Sequence, residues 1–134
     1  MSRLMSVAMT ADAVIERRKT VTRRKGWLML KPGDTLTLCR KVQGRKPGEP
    51  LERLAEVEVV SVAREPLWEL TRRDYAAAFP PPPTGYASRE VAREGFPCLD
   101  PVEFVERYFV EAQGMSLRDE VTRIEWRYLD GDDR

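Results

Sequence analysis

A chain of 134 residues and 15.4 kDa is sized for one compact domain, and 42% hydrophobic residues are enough to build its core. It has no histidine and two cysteines, Cys39 and Cys98; this excludes imidazole general-base catalysis, Ser-His-Asp and Cys-His arrangements, His-ligated metals and a four-cysteine zinc site, so no metal or cofactor is expected. The net charge of +1 conceals a polarity: residues 1–46 carry twelve Lys or Arg against three acids, while residues 47–134 carry a net −8.

The first apolar run, Leu4 to Met9, predicts a buried strand over 3–9. Thr10 is a candidate N-cap with Asp12 in the first turn, and Ala11, Val14, Ile15 and Arg18 follow at helical spacing, predicting a helix over 11–18. The β-branched Thr20, Val21 and Thr22 favour an extended segment, with Val21 facing one way and Thr20, Thr22 and Arg24 the other. Lys31-Pro32-Gly33-Asp34 marks a turn, followed by a strand over 35–42 with Leu36 and Leu38 on one face. Residues 43–50 form a polar Gly/Pro loop, and 54–62 alternates as a strand.

Pro66 suits the first position of a helix containing Leu67, Trp68 and Leu70, and Thr71 with Asp74 resembles a capping box. The prolines after Phe79 predict a stiff polyproline surface excursion over 79–87. Ser88 is a candidate cap for a short helix ending at Gly95. Asp100-Pro101-Val102-Glu103 opens another helix, with Val102, Val105, Phe109 and Ala112 on one face and Gly114 at its end. Residues 120–129 alternate as a half-buried closing strand, with Val121, Arg123, Glu125 and Arg127 against Thr122, Ile124, Trp126 and Tyr128, and an acidic tail follows. Strands come early, in the middle and last, with helices between. This predicts an α+β fold: a small curved sheet or partly open barrel with peripheral helices, in a single domain over 1–134.

The start of the chain lacks a signal-peptide pattern, and no run approaches the length of a spanning helix. The expectation is a cytoplasmic protein without a membrane partner, its cysteines reduced and buried as small hydrophobes. The oligomeric state is not legible.

The densest candidate site is Arg17-Arg18-Lys19-Thr20-Val21-Thr22-Arg23-Arg24-Lys25, six bases and two hydroxyls with no acid. Guanidinium forks suit phosphate, and an ammonium adds a point charge. Trp27 can stack a base or fill a core, and the segment itself can equally be a solvated basic face. Glu94, at the end of a short helix, opposes the helix dipole; it serves either a salt bridge to the basic segment or chemistry.

Taken in order, Arg18-Lys19-Thr20-Val21-Thr22-Arg23-Arg24, the Gly33-Asp34 strand start, the Val57–Val62 strand, Glu94-Gly95-Phe96 and the closing Thr122–Tyr128 strand resemble the ASCH domain family, whose members have a PUA-like barrel. The resemblance spans about residues 4–128. It implies a cleft used for RNA or nucleotide recognition. Some small bacterial members resemble amidohydrolases that remove the acetyl group of N4-acetylcytidine, and others have been linked to ribonuclease activity. Position by position, the amidohydrolase residues fall on Lys19, Thr22 and Glu94, with Arg24 closing the element. Thr22 would then be the nucleophile and Lys19 its base, and Glu94 would orient the lysine or pass a proton to the leaving amine. The chain departs from those members in its 43–50 loop and its proline-rich excursion. It departs also at Arg23, where an apolar residue is expected; a charge there suggests a more exposed, phosphate-friendly cleft.

The leading expectation is a module binding RNA, or a nucleoside or nucleotide, that reads or processes a modified base. Thr20, Arg23, Arg24, Lys25, Trp27 and Lys41 are its candidate binding residues. The alternatives are an N4-acetylcytidine amidohydrolase acting through Lys19, Thr22 and Glu94, a metal-independent ribonuclease, and an adaptor using the proline loop.

Overall fold

The computed structural model describes residues 3–44, 46–72, 86–96 and 99–129. Strand β1 (Arg3–Ser6) lies parallel to β3 (Thr35–Cys39), and the other pairings, β3 with β4 (Arg53–Pro66), β4 with β5 (Glu120–Tyr128) and β5 with β2 (Val21–Arg24), are antiparallel. The order β1-β3-β4-β5-β2 gives one curled five-stranded sheet, the half-barrel that the mixed pattern predicts. A register shift between Val59 and Ser61 bends β4 and leaves Val60 exposed.

Several boundaries differ from the sequence expectation. β1 ends at Ser6, because Ala8–Thr10 winds into a 3₁₀ turn. Thr10 precedes α1 (Ala11–Ile15) without capping it through its side chain. β3 stops at Cys39, where the register with β4 shifts. β4 is longer than expected: Pro66 is its last residue, paired with Glu120, and α2 (Glu69–Arg72) starts only later. α3 (Tyr86–Arg93) begins before Ser88, so that serine lies inside the helix and the last two residues of the expected excursion are helical. Residues 79–85, Asp74, Cys98 and the 130–134 tail lie outside the described residues.

Asp100 caps α4 (Pro101–Val105) as its sequence predicts, its carboxylate accepting from the Val102 and Glu103 amides. A wide π-helical turn, Glu106–Glu111, then changes the helical phase. The buried residues are therefore Pro101, Phe104, Val105 and Phe109, while Val102 and Ala112 face solvent.

Two apolar clusters result. One fills the curl of the sheet with Met5, Leu36, Leu38, Val57, Ile124 and Trp126 among others. The second joins the helices to the start of β5 through Leu67, Leu70, Val91, Phe104, Val105 and Val121. Cys39 is buried at the end of β3. No helix among the described residues is long and apolar enough to cross a membrane.

Candidate functional site

Two helix ends meet at the seam between the clusters. At the end of α1, the Arg18 amide bonds to the Ala13 carbonyl at 2.8 Å and the Arg17 amide to that of Val14 at 3.0 Å. That crossed pair is a Schellman motif, and it needs a left-handed residue at Arg17, which has φ 63°. The Arg17 side chain offsets the strain: its guanidinium bonds the Val14 carbonyl at 2.9 Å and lies 5.0 Å from the Tyr128 ring centre. The turn throws Lys19 back across the sheet. There the Lys19 carbonyl accepts from Trp126 Nε1 at 3.0 Å and from Tyr128 Oη.

The same motif ends α3. The Phe96 amide bonds to the Val91 carbonyl at 3.1 Å and the Gly95 amide to that of Ala92 at 2.9 Å. Gly95 supplies the positive φ, 109°, and a Cβ there would come within 3.0 Å of Thr10 Cγ2 and 3.2 Å of Ala13 Cβ. This close approach brings Glu94 onto Lys19. The Lys19 ammonium donates to the Glu94 main-chain carbonyl at 2.6 Å, with the Glu94 carboxylate 3.8 Å away.

Around this junction is a cavity of about 360 Å³. Ser6 to Thr10 form one rim. Lys19, Thr22, Arg24, Lys25 and Glu94 supply the polar side, and Phe96, Phe104, Tyr108 and Phe109 the aromatic side. Phe96 and Tyr108 lie 4.7 Å apart between ring centres, and Phe104 closes the cluster. The wide π-helical turn lets the adjacent Tyr108 and Phe109 both reach the cavity wall.

Burial, helped by Arg24 and Arg23, lowers the Lys19 amine to about 8, against the opposing pull of Glu94. Arg24 donates to the Ser6 carbonyl at 2.7 Å and to the Thr22 hydroxyl at 3.3 Å. Its burial lowers its own pKa, with Glu94 opposing. An amine lowered to about 8 has a substantial neutral fraction at mildly alkaline pH, and in a cavity that also holds a hydroxyl and a carboxylate it can accept a proton.

The cavity thus gathers Lys19, Thr22, Glu94, Arg24 and Lys25. Thr20 does not line it, although strand alternation predicts that it points with Thr22; its hydroxyl accepts from Arg93 at 3.2 Å and its amide donates to the Arg93 carbonyl at 2.8 Å. Trp27 is half-buried against the sheet cluster, and Lys41 sits on the surface 3.8 Å from Glu49. Arg23 also borders the cavity, but it is not exposed as its sequence position suggests: it is 4% exposed. Three carboxylates from α3 and β4 cover it. Sequence reasoning missed Glu90, Arg123 and the aromatic side. Phe104 and Tyr108 do carry a visible i, i+4 spacing, which reads as core packing.

No protein-family model and no curated protein matches the chain. Solved structures do. The curled mixed half-barrel with its few short helices is similar to an ASCH domain from Lactobacillus crispatus. It superposes with a TM-score of 0.51 at 14% identity, covering 90% of this chain and 70% of that one. A DUF984 protein from Enterococcus faecalis superposes with a TM-score of 0.49 at 13% identity, covering 96% and 80%. The protein therefore has an ASCH-like, PUA-type fold.

Proposed function

We propose that the cleft binds a nucleoside, free or within RNA, and that Lys19, Thr22 and Glu94 remove an acyl group from the exocyclic amine of its base. The observation that carries this reading is a single cavity of nucleoside size in which an aromatic side faces a buried lysine of lowered pKa, beside Thr22 and Glu94. A pyrimidine ring lies against Phe96 and Tyr108, and its acylated edge meets the polar side. The Thr22 hydroxyl attacks the acyl carbon while Lys19 takes its proton. The C–N bond then breaks, and the proton passes from Lys19 to the leaving amine. Water hydrolyses the threonyl ester, returning carboxylic acid and the free hydroxyl.

Incubation with N4-acetylcytidine and related acylated cytidines, followed by separation of the released cytidine, tests this. Wild-type protein is expected to release cytidine. Thr22→Ala is expected to abolish release while cytidine binding persists. Binding without release from any acylated cytidine overturns the hydrolytic part.

A second reading, RNA binding alone, is favoured by Arg24 and the exposed Lys25 at the edge of the cleft. It predicts RNA affinity that falls steeply with salt and is insensitive to Thr22→Ala.

A further inference from the structure

Within the basic run, Arg23 stands apart. Its side chain is 1% exposed, and its three nitrogens each meet a different carboxylate. Nε lies 3.2 Å from Glu65, Nη2 is 2.7 Å from Glu90 and Nη1 is 2.8 Å from Glu94. Three acids around one guanidinium repel an incoming phosphate, so an anion-binding role does not fit it. Arg23 also faces Arg123 directly across the β2–β5 ladder. Like charges so placed repel, and Glu90 relieves this by accepting from Arg123 as well, at 2.8 Å. Arg93 completes the cluster, 3.2 Å from Glu90.

The consequence for the cleft lies in Glu94. One of its carboxylate oxygens is held by Arg23 at 2.8 Å, and the other pairs with the Lys19 ammonium at 3.8 Å, an ion pair longer than a hydrogen bond. Lys19 is held instead by the uncharged main-chain carbonyl of the same residue. We propose that Arg23 is a positioning residue: by holding the Glu94 carboxylate it prevents that group from closing onto Lys19, and so keeps the Lys19 amine available to the Thr22 hydroxyl. This rests on the reading of Lys19 as the proton acceptor.

The charged groups facing Lys19 are Glu94 from the end of α3 and Arg23 and Arg24 from β2. Lys25 and Tyr108 are the other titratable groups on the cavity wall. The Ser6–Thr10 rim is uncharged, and β5 reaches only the Lys19 carbonyl, through Trp126 and Tyr128. Among the described residues, no other carboxylate lines that wall to compete with Glu94 for the ammonium. Release of Glu94 from Arg23 lets it approach by about 1 Å, which at an effective dielectric of about 20 raises the Lys19 pKa by about one unit.

The test is Arg23→Lys, which keeps the charge and loses the three-way fork. Because a buried charge cluster tolerates deletion poorly, the double variant Arg23→Met/Glu90→Gln, which removes one charge of each sign, accompanies it. The Lys19 ionisation midpoint is followed by NMR in protein labelled at lysine Cε, with cytidine affinity and deacylation measured against pH. In each folded variant the midpoint is expected to rise by about one unit, and turnover at neutral pH to fall about tenfold and recover at higher pH. Cytidine affinity is expected to change by less than about twofold. An unchanged midpoint, or RNA affinity that falls together with its salt dependence, overturns the proposal. A raised midpoint in protein whose wild type deacylates nothing supports this placement of Arg23 and overturns the hydrolytic reading instead.

Discussion

The ends of α1 and α3 are closed by the same hydrogen-bond pattern and built from different residues. At α3 the left-handed position is Gly95, backed tightly onto Thr10 and Ala13. At α1 it is Arg17, which adopts the conformation against its steric preference and is held there by its own side chain on the Val14 carbonyl and the Tyr128 ring. A glycine permits the turn, whereas an arginine must be held in it by tertiary contacts. Together the two turns bring Lys19 and Glu94 face to face, so the site depends on one locally encoded turn and one that only the assembled sheet can enforce.

The largest expected effect comes from breaking the tie that seats the α3 end. Glu90 accepts from Arg23, Arg93 and Arg123, so Glu90→Ala takes a carboxylate from three guanidinium groups at once, including the buried Arg23. A loss of roughly 3–5 kcal/mol in denaturant unfolding is expected. The same residue sets an acid limit. Burial opposes its ionisation, but hydrogen bonds from Arg123 and Arg23 overcome this and hold its carboxyl at about 2, below its ordinary 4.5. Its contribution is therefore complete above pH 4.5 and is lost as pH falls from there towards 2. Acid unfolding of Glu90→Gln followed by circular dichroism should lack that component.

A smaller effect comes from Gly95→Ala, which meets both an unfavourable φ and the 3.0 Å contact with Thr10. About 1–3 kcal/mol of stability should disappear, and Glu94 should shift from Lys19, which lowers deacylation further than the stability loss explains. Arg17→Gly is the smallest: it relieves left-handed strain of about 1 kcal/mol but forfeits the Val14 and Tyr128 contacts, so melting should show a net change within about 0.5 kcal/mol. A large loss at Arg17 would mean that its side chain, rather than its backbone, governs the turn.

The same contrast explains what the sequence made legible. Strands β3, β4 and β5 are visible because Leu36, Leu38, Val57, Val59, Ile124 and Trp126 keep the alternation of a half-buried sheet. The extra length of β4 is hidden, since beyond the bulge at Val60 its outer residues are polar and are held by pairing with β5. The end of α1 is hidden because no glycine announces it, and the run through Arg18 continues the helical spacing. Lys19, Thr22 and Glu94 are legible as a set through the family-like motifs, but Arg23 reads as one more surface base. Its burial depends on Glu65, Glu90 and Glu94, which lie 42, 67 and 71 positions away. The aromatic side is hidden for a related reason: only the π-helical turn decides that Tyr108 and Phe109 reach the cavity together.

The cavity is bounded by Val7 from one apolar cluster and by Phe104 and Phe109 from the other. A ligand seated there touches both, and it finds a complete site only when both are folded. Its binding free energy is thereby added to the cohesion between them, by RT ln(1 + [L]/Kd). Occupancy of the cleft should make sheet and helices melt as one cooperative unit, with the unfolding temperature rising with ligand concentration.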